Sequence, residues 1–472
     1  MDEKILKDAW KVLDESIVEY RGKPIGTLAA RDPTSESLNY NQVFTRDFVV
    51  SAIAYLLEGK SRIVRNFLLQ TMELQSREKH FDCFRAARGL MPASFEVRNI
   101  EGEETIVPDF GEKAIAKVAP VDAPFWWIYL LRLYVKATGE QLHKNKDVQH
   151  SLRLILELAL SPRFDMFPTL LVPDGSFMID RRMGVYGHPL DIQALFYTAL
   201  RASYELLEDT EENAPYIHGT RERLGHLTYH IRYYYWLDLG NLNKLYRSKV
   251  EQYGEATLNR FNIYPDTIPE WLQQYIPSDG GYFIGNIGPA RMDFRFFTAG
   301  NLMAILASLA DKGQAKAVTA LLHHNSETLI GDMPIKVCYP ALEGERWSTL
   351  TGKDPKNTAW SYQNAGGWPF LLWLLTAAAV KTGQKDLAKR AIETAEHRIS
   401  GDKWPEYYDG PFNRLIGKES KLYQTWSAAG YIIATQLLKK PELIDIIGFE
   451  ESKDIIACST RIARDFKKED QK

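Results

Sequence analysis

Two acids stand in surroundings suited to chemistry rather than to a solvated helix face. Asp180 lies in Phe-Met-Ile-Asp-Arg-Arg-Met-Gly-Val-Tyr-Gly-His-Pro, at the end of a short apolar segment and ahead of two glycines. Glu406 lies in Lys-Trp-Pro-Glu-Tyr-Tyr-Asp-Gly-Pro, a loop stiffened by two prolines and flanked by Trp404 and two tyrosines. Two carboxyl groups on either side of a bond can divide acid–base work. One protonates a leaving oxygen, and the other attacks or activates a water, which is what cleavage of a glycosidic bond requires. Each acid also has a plainer reading. Asp180 could be a loop acid paired with Arg181 or Arg182, whose charges would oppose the protonated form a general acid needs. Glu406 could cap a turn.

Other acids surround these two. Arg46 and Asp47 are adjacent in Phe-Thr-Arg-Asp-Phe, on what reads as a buried helix. Such a pair is expensive unless matched or used, so they serve as substrate hydroxyl ligands or as an internal ion pair. Asp122, Asp191 and Asp293 fall where other apolar helices begin, and capping is their plain account. Glu96 and Asp109 are weaker loop acids. Phe44, Trp126, Tyr186, Trp360, Trp368 and Trp426 sit in or near the same motifs, with His188, Gln363 and Asn364. Aromatic content is 12%, with 11 Trp and 24 Tyr, many beside polar residues. Trp and Tyr next to hydrogen-bonding groups suit the flat C–H face of a sugar.

These motifs need elements to hold them. Most of the chain shows helical periodicity. Six helices are apolar almost all round and begin near Tyr40, Val121, Gly187, Asp293, Ser361 and Leu422. Each has an amphipathic partner, at 61–76, 146–160, 215–237, 312–330, 383–400 and, wrapping round, 3–19. A helix apolar all round is buried, and a one-sided helix covers it. Six alternations closing on themselves describe an all-α (α/α)6 barrel in a single domain, 1–472, with a polar tail from about 465. An open solenoid is the competing architecture, and the irregular period with long loops disfavours it. Those loops, 80–120, 161–186, 238–292, 331–360 and 401–421, arrive at one barrel end. Short β-ribbons are expected at 91–97 with 105–108, at 178–181 and around 334–339.

Composition excludes several classes. The 58 basic and 61 acidic residues leave a net charge of −3, which suggests neither a nucleic-acid partner nor an electrostatic membrane anchor. No apolar run reaches the roughly 18 residues of a membrane span. The first 20 residues are charged throughout, unlike a signal peptide. The three cysteines, Cys83, Cys338 and Cys458, are odd in number and far apart, which points to a reducing compartment. A cytoplasmic location is therefore expected. His323 and His324 do not face one metal from a helix, and neither metal nor cofactor is expected. Phosphate-loop, dinucleotide, serine-hydrolase and zinc-protease motifs are absent.

IDRRMGVYGHPLDIQALFYTAL, WPEYYDG, FTRDF, APVDAPFWW and SYQNAGGWPFLLW together resemble the alkaline/neutral invertases, glycoside hydrolase family 100, of photosynthetic bacteria and plants. The resemblance runs from about Asn39 to Gln436. It implies an (α/α)6 barrel that hydrolyses sucrose to glucose and fructose by inversion. It implies Asp180 as general acid and Glu406 as general base. The sugar partners expected beside them are Arg46, Asp47, His188, Gln193, Gln363 and Asn364, with Phe44, Trp126, Tyr186 and Trp368 as apolar surfaces. Asp191 stands where the family often has Glu. The chain lacks the N-terminal extension common in the plant members and resembles the bacterial form. A homo-oligomer is expected. The alternatives are a hydrolase or phosphorylase of another disaccharide, or a non-catalytic sugar-binding protein.

Overall fold

The structure is a computed structural model that describes residues 2–34, 39–78, 87–113, 117–161, 167–252, 257–288 and 291–469. Cys83 lies outside them. Six helices form an inner ring: α2 (Thr45–Leu57), α4 (Ala123–Thr138), α6 (Leu190–Leu206), α8 (Thr298–Leu306), α10 (Leu372–Thr382) and α12 (Thr425–Lys439). Each packs on the next, and α12 packs back on α2. The chain is therefore a closed (α/α)6 barrel. The outer layer is α1 (Glu3–Glu15), α3 (Ser61–Glu73), α5 (Lys146–Ala159), α7 (Ala214–His230), α9 (Lys312–His324) and α11 (Lys385–Glu396).

Burial separates the layers as the periodicity requires. In α8 every residue is buried, whereas α1 buries only Ala9, Val12 and Leu13. Several outer helices begin with a side-chain cap: Asp2 on α1, Asn145 on α5, and a full capping box of Asp311 with Gln314 on α9. None of the six inner helices has such a cap bond. The acids expected to cap them do other things. Asp122 pairs with Arg46 at 2.7 Å. Asp191 accepts the backbone N–H of Gly300 on the neighbouring helix at 2.6 Å. Asp293 pairs with Arg295.

Two inner helices start later than their motifs suggest. Asp293-Phe-Arg-Phe-Phe is part of strand β9 (Arg291–Phe297), whose alternating side chains outweigh the helical reading. The Ser361 motif is a compact loop. Trp360, Tyr362 and Ala365 take left-handed backbone angles there, so the helix waits for Pro369 and begins at Leu372. Helix α1 stops at Glu15, and Ile17–Tyr20 (β1) turns back on Lys23–Thr27 (β2) through Arg21-Gly22, both at positive φ.

At the mouth, Val43–Phe44 (β3), Ser94–Ile100 (β4) and Glu103–Asp109 (β5) make one antiparallel sheet. This is the ribbon expected near 91–108. A second sheet, not foreseen in extent, runs β10 (Cys338–Tyr339), β9, β8 (Gly281–Gly288), β6 (His188–Pro189), with β7 (Trp236–Asp238) also on β8. A two-residue ribbon pairs β11 (Tyr408–Asp409) with β12 (Leu415–Ile416). Residues 178–181 form no strand. Helix α13 (Lys453–Glu469) packs on α7 and takes in the start of the polar tail, whose residues 470–472 lie outside the described residues.

The opposite barrel end is plugged by the chain around Phe449. Arg132 lies 3.7 Å over its ring, and Arg132, Arg201 and Lys381 donate to backbone carbonyls there. Cations at inner-helix C-termini serve the orphan carbonyls.

The seam between α6 and α8 depends on Gly300. A Cβ there would lie 2.6 Å from Asp191 Oδ1 and 2.7 Å from Leu190 Cγ. Gly300→Ala is expected to destabilise the protein by roughly 1–3 kcal/mol through overpacking, read as a lowered thermal midpoint. An unchanged midpoint would mean the seam is loose.

Candidate active site

Asp180 sits in a loop pinned from three sides. Asp174 accepts the backbone N–H groups of Met183 (3.1 Å), Gly184 (2.8 Å) and Val185 (3.2 Å). Arg181 turns away, and its Nη1 donates to both carboxylate oxygens of Asp354, at 3.0 and 2.9 Å. The Gln363 amide reads the loop: its Nε2 donates to Met178 O (3.0 Å) and to Asp180 Oδ1 (2.7 Å), and its Oε1 accepts from Arg181 N. Tyr362 Oη reaches the same Oδ1 at 3.4 Å. Among the described residues Asp180 has no ion pair, so the plain reading of a carboxylate bridged to Arg181 or Arg182 does not hold.

Glu406 is buried, at 3% exposure. Tyr40 Oη donates to its Oε1 at 2.9 Å, and Lys356 Nζ lies 3.9 Å from Oε2. Lys356 is itself held over the rings of Tyr362 (4.1 Å) and Tyr407 (5.4 Å). Burial pushes the Glu406 carboxyl above its usual pKa, Lys356 and Tyr40 pull it back, and the Asp180 charge raises it again. Tyr362 reaches Asp180, and Lys356 lies over the Tyr362 ring beside Glu406, so the two acids share one electrostatic cluster.

Asp47 is the third carboxyl of that cluster. It is half-buried, and its pKa is pushed up to about 7 by burial, against Arg46 and with the help of Glu406, Asp180 and Asp122. Arg46 is committed to Asp122 rather than to its neighbour. Its pKa is raised because the surrounding carboxylates, Asp122 foremost, outweigh its desolvation.

An aromatic floor lies beside the acids. Trp368 stacks on Tyr407 with centroids 5.5 Å apart and meets Tyr362 at 5.0 Å. Trp426 stacks on Phe370 at 4.1 Å and meets Trp368 at 5.6 Å. Trp126 lies beside Asp122, Phe44 precedes α2, and Tyr186 is 52% exposed.

Three expected partners are placed otherwise. Gln193 is fully buried, with both ends of its amide on the Leu170 backbone. Asn364 is likewise spent on the backbones of Leu342 and Asn357. His188 shares Nδ1 with Thr169 Oγ1 at 2.9 Å, and burial lowers its pKa. Each amide or ring satisfies a buried loop, and the structure brings none of the three to Asp180 or Glu406. Sequence reasoning missed Tyr40, Tyr362 and Lys356, which stand against the two acids. The two tyrosines sit close to recognised motifs. Lys356 stands in an ordinary polar loop and carries no local signal.

Among the described residues no group of three His, Cys, Asp or Glu side chains could hold a metal ion. Two clefts, of about 420 and 800 Å³, are lined by other residues than Asp180 and Glu406.

A closed (α/α)6 barrel with paired loop carboxyls and an aromatic floor at one mouth has the construction of a helical-barrel glycoside hydrolase. Solved structures agree on the fold. A wild-type glycosidase superposes with a TM-score of 0.54 at 11% identity, covering 92% of this chain and 96% of its own. A bacterial glucoamylase complexed with acarbose superposes at 0.52 with 12% identity, covering 93% and 57%. The profile described as alkaline and neutral invertase matches residues 9–441. Neutral/alkaline invertase 1, mitochondrial, of Oryza sativa is 54% identical over 96% of this chain and 74% of its own. Alkaline/neutral invertase E, chloroplastic, of Arabidopsis thaliana is 53% identical over 95% and 74%, and cytosolic invertase 1 of Oryza sativa is 53% identical over 95% and 81%. The chain belongs to the alkaline and neutral invertase family of glycoside hydrolases.

Asp47 binds its proton more tightly in the fold than in the unfolded chain. The folded protein therefore holds more protons between about pH 4 and a pH of about 7, and stability falls as pH rises through that window. Glu406 acts in the same direction and is present in both proteins to be compared. Asp47→Asn should therefore lose less thermal stability than the parent between about pH 5 and 7.5, followed by calorimetry. Parallel declines would show that Asp47 is ionised throughout.

Proposed function

We propose that this enzyme hydrolyses sucrose to glucose and fructose in a single displacement with inversion, with Asp180 as general acid and Glu406 as general base. The observation that carries the reading is the pairing of two carboxyls from separate loops in one cluster, each with one oxygen already held. Gln363 and Tyr362 occupy Asp180 Oδ1, so Oδ2 is the atom that presents a proton to the glycosidic oxygen. Tyr40 holds Glu406 Oε1, and Oε2, facing Lys356, takes a proton from water. The water oxygen bonds to the anomeric carbon as the bond to the fructosyl oxygen breaks. The proton of Asp180 leaves with fructose, the water's proton passes to Glu406, and exchange with solvent restores both acids.

The relatives' names, all invertases, support sucrose as substrate. Arg181 supports the role of Asp180 by its geometry, since its guanidinium is committed to Asp354. Raising the Glu406 carboxyl from its ordinary range moves it toward neutral pH, where a general base is most effective. Asp47 and Arg46 offer charge-assisted bonds to sugar hydroxyls. Trp368, Trp126, Phe44 and Tyr186 supply apolar faces.

Asp180→Asn and Glu406→Gln are each expected to lower glucose release from sucrose by about 10²–10⁴-fold, with thermal midpoints near the parent's. Near-parent rates in either variant sink the assignment. Proton NMR of fresh product should show β-glucose first, and early α-glucose would mean retention. Trehalose and maltose, assayed alongside, should be cleaved poorly.

A further inference from the structure

A buried ammonium joins the loop that holds Asp180 to the loop that carries Glu406. Lys336 has no exposed surface. Its Nζ donates to Ala365 O at 3.0 Å, to Gly410 O at 3.1 Å and to Asn413 Oδ1 at 2.8 Å. An ammonium has three hydrogens, so these acceptors use all of them. Ala365 is two residues beyond Gln363. Gly410 and Asn413 follow Glu406 in the loop that includes the β11–β12 ribbon.

The two loops also meet directly. Gly367 and Tyr408 exchange both backbone bonds, at 2.9 and 2.8 Å, and Gly410 N donates to Trp360 O at 2.8 Å. Left-handed angles at Trp360, Tyr362, Ala365 and Asn413 bend both loops where they meet. The Trp360 ring lies 5.0 Å from the Lys336 Nζ. Lys336 is tied in turn to the barrel, since its own N–H donates to Leu329 O and its carbonyl accepts from Thr298 Oγ1 at the start of α8.

A buried charge served by neutral acceptors costs stability, and a well-packed apolar side chain often costs less. Among the described residues no carboxylate pairs with Lys336. The Lys336 ammonium therefore does what an apolar residue cannot, which is to hold three acceptors from two loops at one point. Burial also lowers its pKa to about 7, in keeping with a cation lacking a counter-charge.

We infer that Lys336 is a positioning residue for hydrolysis, setting the spacing between the loop that holds Asp180 and the loop that carries Glu406. It touches neither carboxyl. Its effect passes through Ala365 to Gln363 and through Gly410 to Glu406. The inference rests on the acid and base assigned above.

The test uses the full chain with Lys336→Met and Lys336→Gln, the latter keeping two N–H donors. Two readouts are taken: steady-state kinetics on sucrose and hydrogen–deuterium exchange. In Lys336→Met, kcat should fall by roughly 10²-fold, the scale of a misplaced catalytic group, with KM within about threefold. Exchange should rise in 357–368 and 404–417 and stay at parent levels in α4 and α6. Lys336→Gln should lie between Met and the parent in both readouts. An unchanged kcat, or exchange raised across the whole barrel with kcat and KM failing together, overturns the inference. A parent enzyme inactive on sucrose would instead defeat the functional reading. Exchange then decides alone, and unaltered exchange in the two loops overturns the tie.

Discussion

Everything at the mouth depends on α12 closing against α2. Six inner helices buried on every side leave no free face, so each needs a neighbour on both flanks. The ring meets that need only when its first and last members touch. Once it closes, the six N-termini come to one end, and loops separated by more than 200 residues in sequence become neighbours. Asp180 and Glu406 come into one electrostatic cluster for this reason.

The mouth is also where the protein departs from ordinary helix chemistry. Its outer helices are capped locally where Asp2, Asn145 and Asp311 stand. The inner helices lack such caps, and Asp122 and Asp191 make long-range contacts instead. Asp122 neutralises Arg46, Asp191 bridges to α8, and Asp47 remains in a desolvated cluster with Glu406 and Asp180. Burial, and after it the neighbouring carboxylates, raise the pKa of Asp47 and of Glu406. The fold offsets that repulsion with Lys356, Arg46 and tyrosine hydroxyls.

The two carboxyl-bearing loops are ordered by direct bonds rather than by helices. Gln363 reads three atoms of the Asp180 loop, and the Gly367–Tyr408 pair zips its neighbour to the Glu406 loop. Left-handed backbone at several non-glycine residues is costly, and it persists here because buried hydrogen bonds over-determine the loops. Precision at the site is thus supplied by loop–loop contact on a barrel that supplies only the frame.

Apolar periodicity was enough to read the barrel, its pairing and its six inner helices, because burial on all sides leaves a local pattern. The motifs also singled out Asp180 and Glu406 as candidates. Partner choice was not legible, because a polar side chain can bond whatever the fold brings near. Gln193 and Asn364 looked like ligands yet serve backbone. Arg46 stands next to Asp47 yet pairs with Asp122. Lys356 and Lys336 gave no signal, since a lysine in a polar loop or ribbon looks the same wherever its ammonium ends. Sequence by itself determined the architecture and the family, and it singled out two candidate acids. Tertiary structure decided which groups surround those acids, because electrostatics acts across space between residues that the chain keeps far apart.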